Sequence, residues 1–198
     1  MLFIITTPLF CQEATATLIP GIKLTTNLSA KETSKLLNIK LPNNVSVKGT
    51  STLHDWESIV EKTNATITID NFYNVAIETL EVEIEATSIK SGKKIMDKLT
   101  YKALKAEEYP LITFIFKKGE IISENKDFIN IKLFGNLTIA GVTKSVNVLS
   151  NINKNGDHIV LTGSHELKMT SFGINPPKAL LGTIKTGDEI TIEFNLKF

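Results

Sequence analysis

Leu80-Glu-Val-Glu-Ile-Glu-Ala86 alternates apolar and acidic side chains, and the closing stretch Ile190-Thr-Ile-Glu-Phe-Asn-Leu-Lys-Phe198 repeats the pattern with mixed polar partners. Neighbouring side chains of an extended chain point to opposite faces, so a period of two marks a strand with one buried and one wet face. Strands buried on both faces would read as unbroken apolar runs, so these pair antiparallel. The same period recurs outward from both segments. It appears at Val45 and Val47, at Ile67 and Ile69, at Ile112, Phe114 and Phe116, at Ile129, Ile131 and Leu133, at Val146 and Val148, and at Ile159 and Leu161. One segment differs: Lys93–Leu104 carries Ile95, Met96, Leu99 and Ala103 at helical spacing, with Pro110 beyond, and predicts one helix. Turn chemistry marks Pro42-Asn43-Asn44, Lys118-Gly119, Ala140-Gly141, Asn155-Gly156-Asp157 and Thr186-Gly187-Asp188 as connections. Eight or nine long strands suit an open sandwich or a closed barrel. Closure removes exposed sheet edges, and eight strands leave an interior just wide enough for side chains or one small ligand.

The 198 residues are enough for one domain plus an extension, with a core that needs no disulfides. An apolar share of 42% and a net charge of +1 exclude a disordered chain and argue against a nucleic-acid binder, which carries a basic excess. The chain holds 25 Ile and 23 Thr against 10 Ala, a balance that favours strands. All 22 basic residues are lysines, so no planar guanidinium is present to clamp a phosphate. Residues 1–12 begin with the apolar run MLFIITTPLF, too short to span a bilayer and suited to an export signal. Residues 13–35 are polar and read as a leader. Cys11 is the only cysteine, which excludes an intrachain disulfide and a thiolate metal cluster, and Phe10 before it does not suit a lipid-anchor site.

Catalytic signals are sparse. His54-Asp55 beside Trp56, His158 after a turn, and Ser164-His165-Glu166 match no metal pattern. In a strand, Ser164 and His165 point to opposite faces and cannot act as a pair. Glu81, Glu83 and Glu85 form a solvated outer face. No nucleophile elbow and no glycine-rich phosphate cradle is present. The sequence therefore predicts no enzyme.

Five strings, in order, carry a resemblance. They are Val47-Lys-Gly-Thr-Ser-Thr-Leu-His-Asp-Trp-Glu57, Glu83-Ile-Glu-Ala-Thr-Ser-Ile89 and Lys105-Ala-Glu-Glu-Tyr-Pro-Leu-Ile-Thr-Phe114. Then come Gly135-Asn-Leu-Thr-Ile-Ala-Gly-Val-Thr-Lys144 and the stretch from Met169-Thr-Ser-Phe-Gly-Ile-Asn175 to Gly187-Asp188. Over residues 36–198 the chain resembles the YceI-like family of polyisoprenoid-binding, lipocalin-like envelope proteins. The resemblance implies an all-β, eight-stranded antiparallel barrel with one helix near its mouth. It also implies a periplasmic or secreted location and a bound isoprenoid lipid of quinone or polyprenyl type, with no other cofactor. Members often carry an arginine–aspartate pair before the helix, whereas Lys93, Lys94 and Asp97 stand here.

The apolar phase of the strands then supplies the expected lining: Val82, Ile84, Phe114, Phe116, Ile131, Leu133, Val148, Leu161, Ile192 and Phe194, with Trp56 at the rim or plugging one end. The competing reading is an interaction or structural module with a filled interior. The expected partner is a long-chain lipid, carried, stored or sensed, with neither a nucleic acid nor a transmembrane segment involved. A homodimer is left open.

Overall fold

The computed structural model describes residues 34–70, 76–155 and 158–198. The expected export segment 1–12 and residues 13–33 of the expected leader lie outside them, as does the Gly156-Asp157 turn. Twelve strands and one helix follow in chain order. They are β1 (Lys35–Asn38), β2 (Lys40–Ser51), β3 (Trp56–Val60), β4 (Thr63–Ile69), β5 (Ile77–Glu85), β6 (Ile89–Lys90), α1 (Lys94–Leu104), β7 (Leu111–Glu124), β8 (Phe128–Ile139), β9 (Val142–Asn155), β10 (His158–Lys168), β11 (Lys178–Ala179) and β12 (Ile184–Lys197).

Every pairing is antiparallel. The sheet curls back on itself: β12 bonds both β10 and β2, β2 bonds β3, and β4, which continues β3, bonds β5. The count is twelve rather than the expected eight, for two reasons. Ile39 alone separates β1 from β2, and Glu61-Lys62 separate β3 from β4, so two stretches of chain count as four strands. β6 and β11 are two-residue additions.

Three expected turns are irregularities inside strands. Pro42-Asn43-Asn44 lies within β2, where Asn44 pairs with Asn195 but Lys40 pairs with Lys197, so extra residues bulge out. Proline has no N–H for a ladder, and a bulge accommodates it. Lys118-Gly119 follows a register shift in β7, and Gly187-Asp188 sits in another near the start of β12. Asp188 fastens that second bulge, accepting the Thr170 N–H at 2.9 Å and the Thr170 hydroxyl at 2.6 Å. Ala140-Gly141 is a true two-residue hairpin, with φ of 49° and 78°. Positive φ at both positions matches the right-handed twist of the flanking strands.

The helix meets its expectation to within one residue. Asp97 accepts hydrogen bonds from the Ser91 N–H (2.8 Å) and hydroxyl (2.6 Å), which hold the N-terminal turn against the chain leaving β6. Burial opposes ionisation of Asp97, but these two bonds keep its carboxyl below the usual range. Tyr101 donates to the Ile89 carbonyl at 3.2 Å and accepts from Lys90 at 2.6 Å. Lys105 ends the helix in the left-handed conformation at φ 52°.

Candidate functional site

The interior divides along the strand direction. At one end Ile67, Ile69, Ile129, Ile152, Ile159 and Phe198 are all at 1% exposure or less and pack together. Phe198 is tied to Ile159 by backbone hydrogen bonds in both directions. Nearer the helix the packing opens into two cavities. The smaller, about 100 Å³, is almost wholly apolar. The larger, about 420 Å³, lies beneath α1, with Ile84, Ile112, Ile192 and Val45 bordering both.

Flat aromatic rings form part of the wall. Phe194 pairs directly with Gly163, and a Cβ built on Gly163 would lie 2.6 Å from the Phe194 ring and 2.7 Å from the Leu149 carbonyl oxygen. The Phe114 ring lies over Gly135 in the same way. Each glycine leaves the space that lets its ring lie against the sheet.

Most of the expected lining converges. Val82, Ile84, Phe114, Leu133, Val148, Leu161, Ile192 and Phe194 border the smaller cavity, and Ile84 and Ile192 reach the larger as well. Trp56 borders the larger cavity; its indole lies over Gly49 and donates to the Thr50 carbonyl at 3.0 Å. Phe116 and Ile131 border neither cavity. The register shift after Phe116 sets Gly119 against Leu133, and the Ile131 and Phe116 side chains fill the space over that glycine, in the packed part of the interior.

Three contributions were not read from the sequence. Met96, Leu99, Ala103 and Leu104 of α1 face the larger cavity; the helical spacing was visible, but not the surface it covers. The loop Leu53–Asp55, Pro177 and the short strand β11 complete the rim. His165, on the inward phase of β10 opposite Ile192, reaches the smaller cavity. Burial holds its imidazole below the ordinary histidine range, although the ring donates to the Asn147 carbonyl. Ser164 beside it is exposed, so the two do not meet. Among the described residues, no group of three or more His, Cys, Asp or Glu side chains is arranged to hold a metal ion, and no helix is long and apolar enough to cross a membrane.

Residues 43–198 match the model of the YceI-like domain. The chain belongs to this family. This YceI-like chain is similar in fold to BcnA of Burkholderia cenocepacia, at 21% identity and a TM-score of 0.68, over 79% of this chain and 96% of BcnA. It is similar to the YceI protein of Campylobacter jejuni, at 23% identity and a TM-score of 0.59, over 71% and 82% of the two chains. A third similar structure is a polyisoprenoid binding domain from Saccharophagus degradans implicated in plant cell wall breakdown. There the identity is 10% and the TM-score 0.61, over 81% and 95% of the two chains. No curated protein matches the sequence.

Proposed function

We propose that this YceI-like domain binds a long-chain isoprenoid lipid, of quinone or polyprenyl type, within its apolar interior, as a carrier, store or sensor in the cell envelope. Read with β1–β2 and β3–β4 as single bent strands, the sheet is a closed barrel of eight long strands. Its mouth lies under α1 and its far end is plugged by side chains. The observation that carries the reading is the pair of adjoining cavities. The larger, about 420 Å³, falls in the roughly 300–1,000 Å³ range of small-molecule sites, and the smaller continues it inward between apolar walls.

An isoprene unit has five carbons, and burial contributes ~0.8 kcal/mol per CH₂-sized group, so each unit adds at most ~4 kcal/mol before ordering costs. A slender branched hydrocarbon needs no polar partner in such a site. Its polar end would stay near Ser91, Lys93 and Lys178 at the rim. Binding is preferred over catalysis because the deep cavity offers almost no polar group besides the His165 imidazole. A periplasmic or secreted location suits the apolar start of the chain.

Organic extraction of the purified protein followed by mass spectrometry tests this. Recovery of a stoichiometric isoprenoid is expected. A folded protein that carries no lipid and takes up no added polyprenol or long-chain quinone would overturn the reading.

A further inference from the structure

We propose that the mouth of the larger cavity docks on an anionic phospholipid surface. The proposal builds on the reading of the cavity as a lipid site, and its partner is the bilayer itself rather than the cavity's ligand.

Four large apolar side chains stand in solvent on the three segments around the mouth. Leu53 is on the loop after β2, Ile95 in the first turn of α1, and Leu180 and Leu181 follow β11. Leu181 is fully exposed and Leu180 and Ile95 are each more than two-thirds exposed. Leu180 and Leu181 also hold φ of 48° and 55°, a conformation that branched side chains disfavour. The strain is not offset by burial of the two leucine side chains, and such strain collects at functional segments.

Charge accompanies these apolar groups. Met96, Leu99 and Ala103 of α1 face the cavity, while Lys94, Lys98 and Lys102, at four-residue spacing, form an exposed row on the helix's other side. Lys93 and Lys178 stand at the rim itself. None of these five lysines forms an ion pair with a described residue. The acids at the rim are fewer: Asp55, and Glu57, which lies 3.9 Å from Lys48. Asp97 is held by Ser91.

Exposed leucine and isoleucine beside unpaired lysines suit a phospholipid interface, where acyl chains receive the apolar tips and anionic headgroups receive the ammonium groups. Acidic protein or nucleic acid would answer only the lysines. A second copy of the chain would bring lysines against lysines. Docking here would set the mouth against the bilayer, so that a hydrocarbon tail passes between leaflet and cavity without crossing water.

The test is flotation of the purified protein with vesicles of phosphatidylcholine alone or mixed with phosphatidylglycerol, both free of isoprenoid. Wild type is expected to float with the anionic vesicles, weakly with neutral ones, and less as salt rises. Lys94→Glu and Lys98→Glu should each weaken binding at least about fivefold. Leu180→Ser/Leu181→Ser should weaken it in a way that salt does not mask. None of these residues borders either cavity, so lipid extracted from each variant should match wild type. Equal flotation with both vesicle types, unchanged flotation of both sets of variants, or a dimer that the leucine variant dissolves in the absence of vesicle binding would overturn the proposal. Flotation of a protein that carries no extractable lipid and takes up no added polyprenol or quinone would sustain the docking surface and remove the cavity assignment; lipid loading without flotation would do the reverse.

Discussion

Ala103→Phe and Ala65→Phe place the same added ring in the two halves of the interior, and a partly hollow barrel requires them to act in opposite directions. Ala103 borders the larger cavity from α1; Ala65, 3% exposed in β4, lies in the packed cluster and borders neither cavity. A fully buried phenyl side chain is worth about 1.5–3 kcal/mol, and the poorer helix propensity of Phe relative to Ala removes about 0.5 kcal/mol. The delipidated Ala103→Phe protein should therefore gain about 1–2.5 kcal/mol. At roughly 2–4 °C per kcal/mol for a domain of this size, its thermal midpoint should rise by several degrees. Ala65→Phe forces a ring into filled space and should cost about 1–3 kcal/mol or more. Lipid capacity should separate them again. The Ala103→Phe ring occupies the room of about one isoprene unit, which removes up to ~4 kcal/mol of gross binding, or as much as a thousandfold in affinity. Ala65→Phe should leave the lipid bound by the folded fraction unchanged. Calorimetry on delipidated protein and titration with a long-chain quinone would measure both quantities. If Ala103→Phe destabilises the protein and leaves quinone binding intact, the space beneath α1 is not the ligand site.

Other substitutions probe single positions. Phe114→Asp sets a carboxyl on the wall of the smaller cavity, where the apolar setting opposes its ionisation, and should abolish lipid loading; a folded variant with the wild-type load would refute the lining assignment. Phe198→Ala, at the packed end and 0% exposed, should cost about 3–5 kcal/mol in denaturant unfolding while the folded protein keeps its lipid, and a lost load would place the ligand deeper than the cavities do. His165 is held below the ordinary histidine range by burial, so the unfolded chain takes up its proton more readily than the folded one. This contribution is complete above the unfolded pKa of about 6.5 and is lost as pH falls through that value toward the lower folded one. His165→Leu should remove that part of the acid loss of stability, and a variant whose midpoint follows pH as wild type does would show that the imidazole is not responsible.

Strand identity was legible because a half-buried strand must alternate, and the period of two at Leu80–Ala86 and Ile190–Phe198 survives any tertiary context that keeps one face wet. Continuity and register were not. Glycine, proline and asparagine mark departures from regular pairing, and a departure can reverse the chain or merely bulge it. Lys118-Gly119 and Gly187-Asp188 do the second. The reversal between β7 and β8 instead uses Asn125, whose side-chain oxygen accepts the Asp127 and Phe128 N–H groups, in a polar run without glycine. Phe116 and Ile131 keep the inward phase that alternation assigned them, but both sit in the packed part of the interior. Phase along one strand says which side faces inward but not how far down the interior a residue sits. His165 escaped notice for a related reason: its inward phase was readable, but a histidine reaching an otherwise apolar space is a property of the assembled wall.

The division into packed and open halves follows from how volume is distributed around the sheet. Large apolar residues line both halves, so side-chain size alone does not make the cavity. Isoleucines and Phe198 interdigitate at the far end, and there Ile131 and Phe116 also occupy the room over Gly119. Toward the helix, the Phe194 and Phe114 rings reach over Gly163 and Gly135 into the space a Cβ would take there, so two of the bulkiest inward residues take up part of the wall's own space. The helix closes the top through Met96, Leu99 and Ala103 without reaching the floor. Unfilled apolar space forgoes dispersion contacts that a solid core would have, and the packed end and the long antiparallel ladders must offset that loss. A bound hydrocarbon would restore those contacts. Ligand and fold are then linked: whatever fills the cavity stabilises the folded chain by an amount that grows with the logarithm of its concentration over its Kd, and its removal should lower the thermal midpoint without altering the strands.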